Sequence, residues 1–485
     1  MKRLYQTLLL TLVIPLCVRA QTDTSAIRSL DDCIRYALEN TVEVRNARID
    51  AQISEARVKE TVGLGLPQVD GTVQLTHNPK LPRFYSQYVE GQPGIVDLST
   101  VPGIESGDVV AFQNVFQLPS SGDAGIKINQ LLFSSSYLVG LKAASTYKEL
   151  AYKTEEQTQI DVIEKVTKAY YAVLVNNERI ALFDNNIGRV DSLLRSTSAL
   201  NKNGFSEEID VDRVQVQLNN LKTERLKFVN SQALGLLLLK FQMNYPMDQP
   251  LQISGTLQTL TVDDALFNEY QQGWDHKNRI EYKVLDTQRR LQELDIKNKY
   301  STSLPTLSAF ANLGYSTQSP TIGGLFKTES GIPSTDEFGP DKWYPYSMIG
   351  LTLNIPLFSG LQRNYQLQQS RLSLIKIQNN YNSLKQSIDL SIQQNTTLYK
   401  NAVETLKSQQ ENMTLASKVA RVTKIKYEQG VGSSIEVTDA ESALREAQVN
   451  YYNALYDAIV SKVDLDKAYA KINPANYSPS TTNQK

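Results

Sequence analysis

The feature that most constrains this chain is a hydrophobic seven-residue period written twice in one register. From Val162, alternating steps of four and three residues land on Val162, Val166, Ala169, Val173, Asn176, Ile180, Phe183, Ile187, Val190, Leu194, Thr197 and Asn201, nine of the twelve apolar. The same steps moved by 226 residues land on Ile388, Ile392, Asn395, Tyr399, Ala402, Leu406, Gln409, Met413, Ala416, Ala420, Thr423 and Tyr427. A period of seven held this long imposes a left-handed supercoil, so these segments wrap around neighbouring helices instead of covering a globular core. The first rod is expected from Ser134 to Lys202, roughly 100 Å at ~1.5 Å per residue. A soluble rod of that length implies a coiled-coil hairpin.

The hairpin tips are marked by glycine. "YEQGVGSSIEVTDA" (427–440) interrupts a helical pattern with two glycines and two serines, and glycine inside a helix costs about 1 kcal/mol relative to alanine. Its counterpart is "NKNGFSEEIDVDRV" (201–214), with Gly204 on Gly430, Asp210 on Glu436 and Val211 on Val437. Two further anchors, 40–77 on 278–315 and 125–136 on 350–361, show that the chain is one unit written twice. Each unit opens with a helix, the first from Leu30 to about Val62 with Ser29 as its cap and Asp31 and Asp32 in its first turn. Pro67 stops that helix, and "QVDGTVQLTH" alternates Val69, Gly71, Val73 and Leu75 as a strand with one apolar face. A polar loop (79–123, then 316–345), a second strand and the long hairpin follow. The expected organisation is a leader (1–20), repeat 1 (21–245), a connector (246–275), repeat 2 (276–472) and a polar tail (473–485). Strands are placed near 67–77, 124–133, 305–315 and 347–358, and tips near 203–206 and 429–434. The fold class is mainly α with a small β part.

The start, "MKRLYQTLLLTLVIPLCVRAQTD", has a basic n-region, an apolar run and Val18-Arg19-Ala20 before Gln21, which is the pattern of a secretory signal peptide cleaved after Ala20. Lipidation of Cys17 is the rival, but bulky Leu16 stands where such sites take a small residue. Cleavage removes Lys2, Arg3 and Arg19 from a chain of formal charge -1, leaving -4, so no nucleic-acid surface is indicated. It also leaves Cys33 as the one cysteine, which excludes an internal disulfide. No later run approaches 18 apolar residues.

Catalysis has little to work with. The 485 residues contain His77 and His276 only, with no H-E-x-x-H metal motif and no G-x-x-x-x-G-K-[ST] phosphate loop, and acidic pairs such as Glu207/Glu208 sit where helix dipoles explain them. Neither an enzyme nor a cofactor is expected. Four strands cannot close a barrel without leaving a lipid-exposed edge, but three chains would supply twelve. "PQVDGTVQLTH" has the ~9–11 residues of a tilted membrane strand. Tyr85, Trp343 and Tyr344 are among the aromatics near strand ends that an interfacial girdle would use. The alternative is a secreted or surface coiled-coil scaffold or adhesin without channel activity, which has no use for two equivalent strand pairs.

The duplicated order of helix, strand, loop, strand, long helix, glycine tip and returning helix, with "YEQGVGSSIEVTDAESALREAQVNYYNALYDAI", resembles the TolC family of outer-membrane efflux proteins from about Asp31 to Ile472. The resemblance implies a homotrimer: a twelve-stranded barrel in outer-membrane lipid continued by an α-helical barrel across the periplasm, docking on an adaptor protein and an inner-membrane pump. It places gate carboxylates at Glu436 and Asp439 and a latch between Tyr427 and Asp210. It puts Gly432 where the type member has a latching arginine. Adaptor docking then falls to Gly204, Phe205, Gly430 and Val431.

Overall fold

The computed structural model describes residues 27–92, 97–114, 116–255, 257, 270, 274–327 and 343–477. The leader, Cys17, much of the connector and the tail from 478 lie outside the described residues. Two compact units are present. One comprises the residues up to Ala51, Leu150–Asp286 and those from Asn379 onward; the other comprises Gln52–Glu149 and Thr287–Gln378.

The sheet belongs to the second unit. Its strands are β2 (Gln68–His77), β5 (Ser120–Ser134), β7 (Thr306–Ser319) and β8 (Tyr344–Asn354), hydrogen-bonded antiparallel in the order β2-β5-β7-β8. The last strand ends before the expected 358, because Pro356 lacks a ladder N–H and restrains the residue before it. The loop between β2 and β5 holds a hairpin that the sequence pattern does not announce, β3 (Phe84–Gln87) paired with β4 (Val109–Phe112). Two residues of β1 (Ile27–Arg28) pair in parallel with β6 (Gln252–Ile253) in the first unit.

Register decides what each sheet face carries. Val69 pairs with Ile128, Ile128 with Ala311 and Ala311 with Ile349; Gly71, Ile126 and Leu313 form the next row. With Val73, Leu75, Tyr315, Leu351 and Leu353 they make one face almost wholly apolar, and Val73 and Ile349 are 78% and 79% exposed. Along β2 and β5, the opposite face carries Gln68, Asp70, Thr72 and Gln74 beside Asn129, Lys127 and Asp123, continued by Asn312 and Ser316 of β7. Its glycines are sheltered by aromatics. A Cβ at Gly314 would lie 2.9 Å from the Tyr346 ring and one at Gly350 would lie 2.6 Å from that of Phe310.

The helices are α1 (Leu30–Asn40), α2 (Val42–Gly63), α3 (Ser135–Lys202), α4 (Glu208–Met243), α5 (Ile280–Ser301), α6 (Gln362–Glu428) and α7 (Ser434–Ala468). The expected single opening helix is two. Thr41 takes an extended backbone while donating its N–H to the Ala37 carbonyl, and the Asn40 amide bonds the Tyr36 carbonyl, the local competition by which polar side chains end helices. Ser29 caps α1 as expected, in a reciprocal capping box with Asp32.

In the first unit α3–α4 and α6–α7 are hairpins joined by a mixed seam. Phe183, Val190, Val214, Leu218 and Leu221 of the first hairpin bury with Val437 of the second. Beside this core a ladder of polar pairs links antiparallel α3 and α7. Asn186 donates to Gln448 at 2.9 Å, both buried, and Arg189 meets Glu441 at 3.1 Å. The ladder ends in a charge cluster. Lys467 bonds Asp161 (2.7 Å) and Glu164 (2.6 Å), while Lys168 bonds Glu164 (2.7 Å) and Asp464. Burial acts to raise the Glu164 carboxyl, yet hydrogen bonds from Lys168 and Lys467 outweigh it and hold the group below its ordinary value.

A depressed carboxyl stabilises the fold fully above its unfolded value, about 4.3, and loses that contribution as pH falls toward the folded value. Acid titration of the unfolding midpoint is therefore expected to show a decline below pH ~5. Glu164→Gln should lower stability at neutral pH and flatten that acid limb. An acid limb unchanged by the substitution would remove Glu164 from it.

Candidate functional site at the hairpin tips

The chain reverses twice by one turn. After α3, the Gly204 N–H bonds the Asn201 carbonyl and the Phe205 N–H bonds that of Leu200, both at 2.9 Å; after α6, Gly430 bonds Tyr427 and Val431 bonds Lys426, both at 3.0 Å. This crossed pair satisfies carbonyls that a helix end leaves open and needs a left-handed residue, which glycine supplies: φ is 78° at Gly204 and 73° at Gly430. In each turn the following side chain is apolar and faces solvent, Phe205 81% and Val431 78% exposed.

The tips differ beyond the turn, at the start of the returning helix. In repeat 1, Asp210 accepts from the Ser206 hydroxyl at 3.1 Å and pairs with Arg213 at 3.5 Å, so its carboxylate is held locally. The positions 226 residues on are Gly432, Glu436 and Asp439. Gly432 has no hydroxyl, and Asp439 replaces the arginine with a second anion. Both carboxylates are exposed and neither has a side-chain partner among the described residues. The Glu436 backbone N–H is capped by Ser433 Oγ at 3.2 Å, which fixes the first turn of α7 while leaving the carboxylate unengaged. Like charges three residues apart destabilise a helix slightly. Repeat 2 therefore carries two anions where repeat 1 has an ion pair. The difference is visible in sequence once the repeats are aligned residue by residue at these positions.

Tyr427 and Asp210 are not paired. The Tyr427 hydroxyl instead meets Oγ1 of fully buried Thr197 at 3.1 Å, so Tyr427 does bridge the hairpins but through a hydroxyl pair to α3. Asp210 is occupied by Ser206 and Arg213. In sequence Thr197 stands out only as a heptad position; its polarity among apolar neighbours is the signal of a partner. Gln217 adds a bond to the Thr438 carbonyl at 3.4 Å. At Gly432 a Cβ would lie 3.0 Å from the Tyr427 nitrogen and 3.1 Å from the Lys426 Cβ, so any side chain there requires the turn to give by a few tenths of an ångström. Glycine at 432 thus goes with a tight turn as well as with the missing arginine.

A sequence model of outer membrane efflux proteins matches residues 281–471. The outer membrane protein TolC of Vibrio cholerae is 22% identical over 365 residues, 74% of this chain and 79% of that protein, and its Escherichia coli counterpart is 19% identical over 368 residues, 72% of this chain and 69% of that one. Solved structures share the fold. The outer membrane protein VceC of Vibrio cholerae superposes with a TM-score of 0.66 at 14% identity, over 91% of this chain and 96% of that chain. The open state of the Neisseria gonorrhoeae MtrE outer membrane channel gives 0.66 at 15% over 91% and 88%.

Alanine at Gly430 must adopt a left-handed backbone, at roughly 1–2 kcal/mol. Amide exchange at Val431, protected only by the turn, is expected to accelerate by a factor of about 5 to 30 in Gly430→Ala. Equal exchange rates in the two proteins would show that the turn does not depend on the left-handed residue.

Proposed function

The chain belongs to the TolC family of outer-membrane efflux proteins, and on that premise we propose that it is the outer-membrane channel-tunnel of a tripartite efflux or type I secretion system. In this reading it passively conducts drugs or other exported molecules delivered by an inner-membrane pump, through a periplasmic adaptor, to the exterior. The observation that carries the reading is the sheet: one register-matched apolar face, one polar face, and two edges, β2 and β8, with no further strand among the described residues. In lipid those edges must be paired, and β8 of one copy against β2 of the next closes three chains into a twelve-stranded barrel with the apolar face outward.

The helical hairpins then form the periplasmic part of the conduit. Glu436 and Asp439 form rings of three at its end, where repulsion and the absence of a local cation make a cation-attracting constriction. Tyr427, through Thr197, holds the hairpins together in the closed state, and Asp210 stays with its own helix. The exposed Phe205 and Val431, presented by Gly204 and Gly430, are the surface on which an adaptor docks. A scaffold without a pore has no use for the two sheet faces.

Single-channel recording in a planar bilayer tests this. The purified mature chain should give a small cation-selective conductance, and Glu436→Ala with Asp439→Ala should lower that selectivity and its block by divalent cations. A conductance indifferent to both changes would move the gate elsewhere; none from a folded trimer would favour the scaffold. The barrel has its own test. Ile349→Arg on the outward face should destabilise the inserted trimer by about 2–4 kcal/mol, whereas Thr352→Arg on the inward face should have little effect. Equal loss of heat-resistant trimer in both would refute the facing.

A further inference from the structure

At the base of the first unit, a cavity of about 320 Å³ opens between α3, α7 and the segment after α7. Its floor is apolar, including Ile163, Ile459 and Val463, and its rim is polar. That volume is at the lower end of small-molecule sites, ~300–1,000 Å³. It suits a ligand smaller than a drug.

The rim is chemically balanced. Lys462 and Lys471 flank the half-buried Asp466 closely enough to act on it electrostatically, and Asp31 acts likewise on the hydroxyls of Tyr171 and Tyr477. Two lysines and one carboxylate line the cavity itself, with Asp31 acting from outside the lining, so the cavity offers partners to both ends of a dipolar ligand. Several of these groups are idle. Among the described residues Tyr171, Tyr477, Lys462 and Asn476 have no side-chain hydrogen bond, and Lys471 has only the face of the Tyr270 ring at 5.2 Å. Asp466 accepts from the Tyr270 hydroxyl. Burial nevertheless keeps the Asp466 carboxyl above its ordinary value against that bond and both lysines, so the carboxylate would gain from a further cationic donor.

We propose that this cavity binds a small zwitterion of the amino-acid or short-peptide class, its carboxylate held by Lys462 and Lys471 and its ammonium by Asp466. The tyrosine hydroxyls supply orientation, and the apolar floor takes a short aliphatic side chain. The site is independent of the conduit. It requires neither an open tip nor a pump.

Isothermal titration calorimetry on the detergent-purified full chain tests the proposal, with alanyl-alanine as probe beside its N-acetylated and C-amidated forms. Saturable binding of the free dipeptide is expected, at least tenfold weaker for each blocked form. Lys471→Gln, an exposed position whose loss should leave the melting temperature unchanged, should weaken the free dipeptide at least tenfold and the C-amidated form much less. Asp466→Asn should abolish discrimination against the N-acetylated form. No saturable heat, equal affinity for free and blocked probes, or binding of glucose in place of the dipeptide would overturn the assignment.

Discussion

The backbone groups that β2 and β8 leave unpaired set the terms for everything else. A strand edge in water is solvated, whereas one in hydrocarbon leaves each N–H and C=O to be desolvated at several kcal/mol without a partner. A sheet with one face as apolar as Val69, Ile128, Ala311 and Ile349 is unsuited to water, and with two open edges it is unsuited to lipid as a single copy. Both conflicts are resolved together by closure with further copies. Assembly is thus a condition of placing this sheet in a membrane, and in the proposed trimer the same closure would give the tips a common axis.

The two repeats show what duplication leaves free to change. Their turns share the same crossed pair of hydrogen bonds, because a crossed C-terminal turn with glycine is the cheapest way to end a long helix and reverse the chain. The next positions have diverged in charge logic. Ser206, Asp210 and Arg213 form a closed local set, and Gly432, Glu436 and Asp439 do not. A helix start gains from acidic residues whatever their role, so Glu436 and Asp439 are individually ordinary. What distinguishes them is that the compensating groups of the sister repeat are missing at the equivalent places.

Much of this was legible in the sequence for a physical reason. Period seven, period two and glycine-marked turns are short-range consequences of helix, strand and reversal geometry, and they appear in residues such as Val166, Val173, Val73 and Gly430 without tertiary information. The break at Thr41 was not, because the apolar spacing runs through it and only side-chain to backbone bonding at Asn40 and Thr41 turns the chain. Nor were the hairpin β3–β4, whose strands are four residues each, and the end of β8, where Pro356 outweighed an apolar pattern. Pairing across the seam lies further from sequence still. Tyr427 can reach either a carboxylate or a hydroxyl, and which it takes depends on Asp210 having already been claimed by Ser206 and Arg213.

The seam itself has a gradient in bond type. Near the end of α7 remote from the tip, the hairpins are tied by charge-assisted bonds among Asp161, Glu164 and Lys168 of mid-α3 and Asp464 and Lys467 of α7. Midway the ties are two ion pairs, Arg189 to Glu441 and Arg445 to Glu224, with a buried amide pair, and at the tip they are neutral: Tyr427 to Thr197 and Gln217 to a carbonyl. Neutral bonds contribute about 0.5–1.5 kcal/mol and bonds to charged groups about 1.5–3. Separating the hairpins is therefore easiest at the tip and hardest at the far end of the seam. Moving a neutral hydroxyl pair apart strands no buried charge, whereas parting Lys467 from Glu164 would. In the proposed channel this gradient confines the motion to the last turns before Gly204 and Gly430. That is where the unpaired carboxylates lie and where a docking partner could supply the small free energy needed.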